Sequence, residues 1–161
     1  MLDFDLLGPN NMDHLLDFCS GCPIASFEEG EAVIEENHKD NILYVLRKGA
    51  VVVRRRDVEI NRLSSPGSIF GEVGIMLNQP HGATVEAIEP SEFYRIDDGA
   101  KFFAEQPAMV LLVARILALR LRNVTDELVQ FRELIDSDED TAGKFSSVMK
   151  ALVDHHLDRE Y

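Results

Sequence analysis

Phe70-Gly71-Glu72-Val73-Gly74-Ile75-Met76-Leu77-Asn78-Gln79-Pro80-His81-Gly82-Ala83-Thr84-Val85 is the stretch on which the reading of this chain turns. It lies between two β-rich halves and predicts a loop, one short helical turn and a return into a strand. Gly71, Gly74 and Gly82 let the backbone approach a ligand closely or adopt φ > 0. The free N–H groups at the start of such a turn favour an anion. Glu72 is the lone carboxylate in an apolar run. These residues describe a small polar cup set into a hydrophobic shell.

Upstream, Met12, Leu15, Leu16 and Phe18 predict a short helix from about Asn11 to Cys19, with Asn10 or Asn11 as its cap and Pro23 as its end. Residues 27–34 then read as a turn feeding a strand. Asn37-His38-Lys39-Asp40-Asn41 is a polar turn, in which His38 is a solvated loop residue. Ile42 to Leu46 and Ala50 to Val53 are strands joined through Gly49. Val58, Ile60 and Leu63 alternate with polar residues, as a half-buried strand should. Ser64-Ser65-Pro66-Gly67 turns into the opening stretch. Downstream, Thr84 to Ile88 and Glu92 to Ile96 are two further strands. The expected architecture is α+β: an antiparallel β-roll, jelly-roll-like, carrying a short N-terminal helix and a short helix in the cup.

From about Ala100 the period becomes helical, and Pro107 marks where a short helix gives way to a long one. Leu117, Leu121, Val124, Leu128, Phe131 and Ile135 recur at spacings of four and three. That narrow seam fits helix-on-helix pairing better than burial against a sheet. Asp136 to Asp140 is an acidic break, and Lys144 to Leu157 predicts a second amphipathic helix. The expected organisation is therefore a domain over 1–135, a linker over 136–143 and a terminal helix over 144–161. His155 and His156 are adjacent and diverge around that last helix, a poor geometry for one metal.

Composition narrows the function. With 161 residues, 45% hydrophobic and 28% charged, the chain suits one globular domain plus an appendage. A formal net charge of -13 argues against DNA and against an anionic membrane surface. The acidic N-terminus lacks a signal-peptide pattern, and the apolar stretch from Met109 to Leu121 is too short to span a bilayer, so the cytoplasm is the expected setting. Arg47, Lys48, Arg54, Arg55, Arg56 and Arg62 form a local basic patch, read as solvated side chains on an exposed hairpin rather than as an anion site. Cys19 and Cys22 stand in a CxxC spacing that suits a redox pair or half a metal site. The favoured reading is two small buried residues where the first helix turns into the roll. The five histidines are scattered and no nucleophile motif is present, so neither a metal enzyme nor a hydrolase is expected.

Phe-Gly-Glu, an apolar run and then Pro-X-X-Ala-Thr-Val resemble the phosphate-binding cassette of the cyclic-nucleotide-binding domain superfamily, which includes the catabolite-activator regulators and the regulatory subunits of protein kinase A. The similarity covers roughly residues 12–135. It implies a regulatory domain that binds cyclic AMP or cyclic GMP through Phe70, Gly71, Glu72, Val73, Gly74, His81, Gly82, Ala83 and Thr84. The glutamate would accept the ribose 2′-hydroxyl, and backbone N–H groups would hold the cyclic phosphate. Thr125 lies near where some relatives place hydroxyl residues to read the purine. The helix Pro107 to Ile135 resembles the family's dimerisation helix and implies a homodimer. No winged helix-turn-helix is expected in the residues that follow.

One position departs from the pattern. Where the family carries an arginine after the proline, this chain has His81. Imidazole, with an ordinary pKa of about 6.5, is mostly neutral at pH 7 and offers no bidentate fork. Hydrogen bonds to charged groups contribute roughly 1.5–3 kcal/mol, so the loss should weaken binding by about ten- to a hundred-fold. Only a protonated ring would offset Glu72 and the phosphate, so affinity is expected to rise as pH falls. The alternative is a degenerate member of the fold, used for dimerisation and protein interaction without a nucleotide.

Overall fold

The computed structural model describes residues 11–136, with side chains for residues 15–133. The terminal helix expected over 144–161 and the linker over 136–143 lie outside the described residues, apart from Asp136. Two compact units divide the chain, residues 1–115 and 116–161.

Among the described residues eight strands form two four-stranded sheets, antiparallel throughout. The first has the order β1 (Ile24–Phe27), β8 (Ser91–Ile96), β3 (Leu43–Lys48), β6 (Ile69–Phe70). The second has the order β2 (Ala32–Ile34), β7 (Thr84–Ala87), β4 (Val51–Arg55), β5 (Val58–Leu63). Consecutive strands β3 and β4 lie in different sheets. The chain passes from one sheet to the other through Gly49 instead of forming the expected hairpin; its φ is +104° and a Cβ would sit 2.2 Å from Ser91 Oγ. Only glycine fits there.

The core comes from the inward faces of both sheets. Val33, Ile34, Tyr44, Leu46, Val51, Phe70, Val85 and Phe93 form one cluster. Phe93 is its centre, with ring centroids 5.6 Å from Phe27, 6.0 Å from Tyr44 and 6.2 Å from Phe70, all edge-to-face. That geometry sets the positive ring edge against a negative face. It makes the residue just before the cassette, Phe70, part of the rigid core.

Among the described residues four helices complete the fold: α1 (Asn11–Phe18), α2 (Glu72–Leu77), α3 (Gly99–Glu105) and α4 (Pro107–Asp136). Asp98 caps α3, its side chain accepting from Lys101 N–H. Pro107 opens α4, a position where its missing N–H costs nothing. Met109, Leu112 and Val113 on the first turns of α4 are buried. Residues 121–133 are exposed throughout.

Three local expectations change. α1 ends at Phe18, five residues before Pro23, because Cys19 to Gly21 already turn. Phe27, expected in a turn, ends a strand over residues 24–27 that pairs with β8 through Ile24↔Tyr94 and Phe27↔Ser91. β5 is an edge strand whose Val58 and Ile60 are 66% and 58% exposed, not half-buried. Alternation there reflects pleat direction without a second layer to cover it.

Candidate functional site

The cassette begins where β6 leaves the core. Gly71 takes the left-handed conformation, φ +92°, and a Cβ there would lie 2.5 Å from the Ile42 carbonyl oxygen. Backbone geometry and close approach both demand glycine, and together they turn the chain directly into α2. Its first residue, Glu72, is 3% exposed. A carboxylate at a helix start is favourably placed toward the amide dipoles, but α2 has only six residues and its macrodipole is small. Val73, Met76 and Leu77 on the same helix are exposed, a short apolar face at i, i+3 and i+4.

α2 stops at Asn78, which is left-handed at φ 51°. Gln79 N–H donates to the Gly74 carbonyl at 2.9 Å, and Lys39 Nζ donates to the Asn78 carbonyl at 2.9 Å. A cation at a helix C-terminus satisfies orphan carbonyls and complements the partial charge there.

His81 does not sit as a surface loop residue. It is 5% exposed. Its N–H donates to the His38 carbonyl and its own carbonyl accepts from Asn37 N–H, both at 2.9 Å. Its Nε2 lies 3.0 Å from Asp40 Oδ1. The ring packs on Gly74: a Cβ on that residue would be 3.1 Å from His81 Nδ1 and 3.1 Å from the Gln79 carbonyl oxygen. Asp40 also accepts from Ile42 N–H at 2.9 Å, and His38 Nε2 is 3.7 Å from its other oxygen. One side chain therefore ties the loop of residues 37–41 to the segment following α2.

The roles expected of the three cassette glycines separate. Gly71 has the positive φ, Gly74 makes room for the His81 ring, and Gly82 has open space where a Cβ would be and no positive φ. Beyond Gly82, Ala83 and Thr84 re-enter the sheet. Thr84 Oγ1 accepts from Glu36 N–H at 3.0 Å, and Glu36 in turn accepts from Arg56 N–H at 2.8 Å. Thr125 belongs to the second unit, where its hydroxyl donates to the Leu121 carbonyl one turn back at 2.9 Å.

An open cleft of about 580 Å³ lies beside the cassette, lined by Lys39, Asp40, Asn41, Gly74, Ile75, Asn78 and Ala100. Of the residues expected to bind ligand it includes only Gly74. Asp40 is the residue that sequence reasoning missed. It stands 41 positions before His81 in a turn that reads as solvated, and nothing local signals the pairing.

Four of the six side chains of the basic patch, Arg47, Lys48, Arg54 and Arg62, are ion-paired. Lys48 and Arg47 both bind Glu92, and they hold its carboxyl below the ordinary range. Arg62 does the same to Glu59. Arg54 lies 3.0 Å from Glu86. Among the described residues, no group of three or more His, Cys, Asp or Glu could hold a metal ion, and no single helix is long and apolar enough to cross a membrane.

Comparison with known proteins sets this geometry in a family. The model of the cyclic nucleotide-binding domain matches residues 24–104. A cGMP-dependent protein kinase of Eimeria tenella is 34% identical over 68 residues, 42% of this chain and 7% of the kinase. A cAMP-dependent protein kinase regulatory subunit of Yarrowia lipolytica is 36% identical over 70 residues, 44% of this chain and 18% of the subunit. The chain thus spans less than a fifth of the length of either relative. Among solved structures, the Thermus thermophilus catabolite activator protein superposes with a TM-score of 0.62 at 20% identity, covering 98% of this chain and 89% of that one. cAMP-bound PfPKA-R gives 0.55 at 22%, covering 78% and 44%. These two likenesses establish the β-roll. The matched segment runs from β1 through α3 and takes in the whole cassette: the chain belongs to the cyclic nucleotide-binding domain family.

Proposed function

We propose that this chain is a regulatory ligand-sensing domain, not an enzyme, that takes cyclic AMP or cyclic GMP weakly in the segment from Phe70 to Thr84. The observation that carries the reading is Glu72. The residue is 3% exposed and stands immediately after a left-handed glycine, a position that suits an acceptor for the ribose 2′-hydroxyl. Backbone N–H groups of Gly71, Val73 and Gly74 on one side, and of Gly82, Ala83 and Thr84 on the other, would hold the phosphate.

The weakness follows from His81. An arginine fork can serve a neighbouring carboxylate and a phosphate together. The imidazole has Nε2 on Asp40 and its ring against Gly74, so position 81 supplies the phosphate with no uncompensated cation.

Homodimerisation through α4 is part of the proposal. Leu121, Val124, Leu128 and Phe131 are 39–68% exposed at spacings of three and four, the pattern of a helix seam. The paired arginines and the acidic net charge support a chain that does not bind DNA. A cytoplasmic setting fits this reading.

The second reading is an interaction module without a nucleotide. The structural bond between His81 and Asp40 and the exposed Val73, Met76 and Leu77 favour it. Calorimetric titration of cyclic AMP and cyclic GMP into the wild type and Glu72→Gln separates the two. Weak saturable binding, reduced about ten-fold or more in the variant, supports the sensor. Absence of heat with a folded wild type supports the module.

A further inference from the structure

We propose that Cys19 and Cys22 form a reversible dithiol–disulfide site, oxidised by a low-molecular-weight disulfide such as glutathione disulfide. The inference is independent of nucleotide binding and starts from the turn that ends α1. Cys22 N–H donates to the Cys19 carbonyl at 2.9 Å, closing Cys19-Ser20-Gly21-Cys22 into a four-residue turn. Such a turn holds its end Cα atoms within about 7 Å, and disulfides span roughly 4.4–6.8 Å. The two thiols are close enough to perturb each other's titration. Little backbone movement separates this arrangement from a bond.

Access is unequal in a way that orders the chemistry. Cys19 is fully buried, Cys22 is half-buried, and Ser20 and Gly21 are exposed. Among the described residues nothing lies within 4 Å of the place a Gly21 side chain would occupy, which leaves a small reagent room to approach the turn. The Cys22 thiolate attacks one sulfur of the small disulfide, forming a mixed disulfide and releasing one small thiolate. Cys19 sulfur then attacks Cys22 sulfur and expels the second. The cysteines lose two protons and two electrons; one S–S bond breaks, one forms, and both released thiolates are reprotonated.

A metal half-site is the competing use of the spacing, and the surroundings oppose it. Metal binding requires thiolates. Burial, with the neighbouring Cys22 sulfur, pushes the Cys19 thiol up to about 12, and burial also raises Cys22. Among the described residues no third ligand joins them. The same environment lacks the thiolate stabilisation that makes some dithiol proteins strong oxidants, so the disulfide should form slowly and persist.

The test is equilibration of the reduced protein in a glutathione buffer, acid quenching, alkylation in denaturant and intact-mass measurement. The wild type should lose two hydrogens, resist alkylation and recover both thiols on reduction. Cys22→Ser should keep an alkylatable Cys19 and carry no glutathione. Two alkylated thiols in wild type after prolonged exposure to glutathione disulfide would overturn the proposal, as would glutathione adducts in place of the internal bond. So would zinc retained by reduced wild type through dialysis and lost from Cys22→Ser, which would assign the pair to a metal.

Discussion

His81 Nε2 and Asp40 Oδ1 lie 3.0 Å apart, with the histidine side chain 4% exposed and the aspartate 25%. The bond joins two segments 41 residues apart and gives the cassette's distal limb a fixed attachment to the loop before β3. The His81 side chain is therefore engaged within the protein.

Removing that side chain should cost stability. His81→Ala would empty the space against Gly74 and leave Asp40 with Ile42 N–H and the distant His38 as partners. A loss of about 1–3 kcal/mol is expected from a broken, largely buried hydrogen bond to a charged group. Urea denaturation measures it. A midpoint unchanged from wild type would mean that the ring bears no structural role.

A pH effect is expected at Glu92. Hydrogen bonds from Lys48 and Arg47 hold its carboxyl below the ordinary value of 4.5. A depressed folded-state value contributes stability that is present above the unfolded value and lost as pH falls through the folded one. Glu92→Gln should therefore be less stable than wild type near pH 7, with the gap closing below about pH 4.5 and shrinking in high salt. The group is exposed, so the effect is small. Denaturant midpoints at the two pH values check it, and a gap that widens in acid would contradict the assignment.

Much of the fold is legible from residue order. The two-residue period of the strands, Gly49 in the β3–β4 turn and Pro107 at the start of α4 each leave a local mark. So does the cassette, because the turn needs a left-handed glycine at Gly71 and Glu72 follows it directly. What is not legible depends on distance. β1 carries four residues of ordinary composition and becomes a strand only because β8 lies beside it. Val58 and Ile60 alternate correctly yet face solvent, since β5 is an edge. The burial of His81 needs Asp40, Gly74 and His38 brought together from two loops and a helix. No window of sequence contains that constellation.

The exposed seam on α4 makes a separate claim. Replacing both Leu121 and Leu128, 68% and 39% exposed, with glutamate should convert a dimer to a folded monomer. Sedimentation velocity at tens of micromolar, roughly where a weak pair still forms, reads the change. A wild type that sediments as a monomer there would remove the dimer from the account.

The central claim is that the cassette accepts a cyclic nucleotide without a cation at position 81. Isothermal titration of cyclic AMP and cyclic GMP into wild type and His81→Arg at neutral pH tests it most directly. The account predicts weak, saturable binding by wild type and binding about ten-fold or more tighter by the arginine variant, through the restored fork. Two folded proteins that both take up neither nucleotide, or an arginine variant that binds no better than wild type, would contradict it.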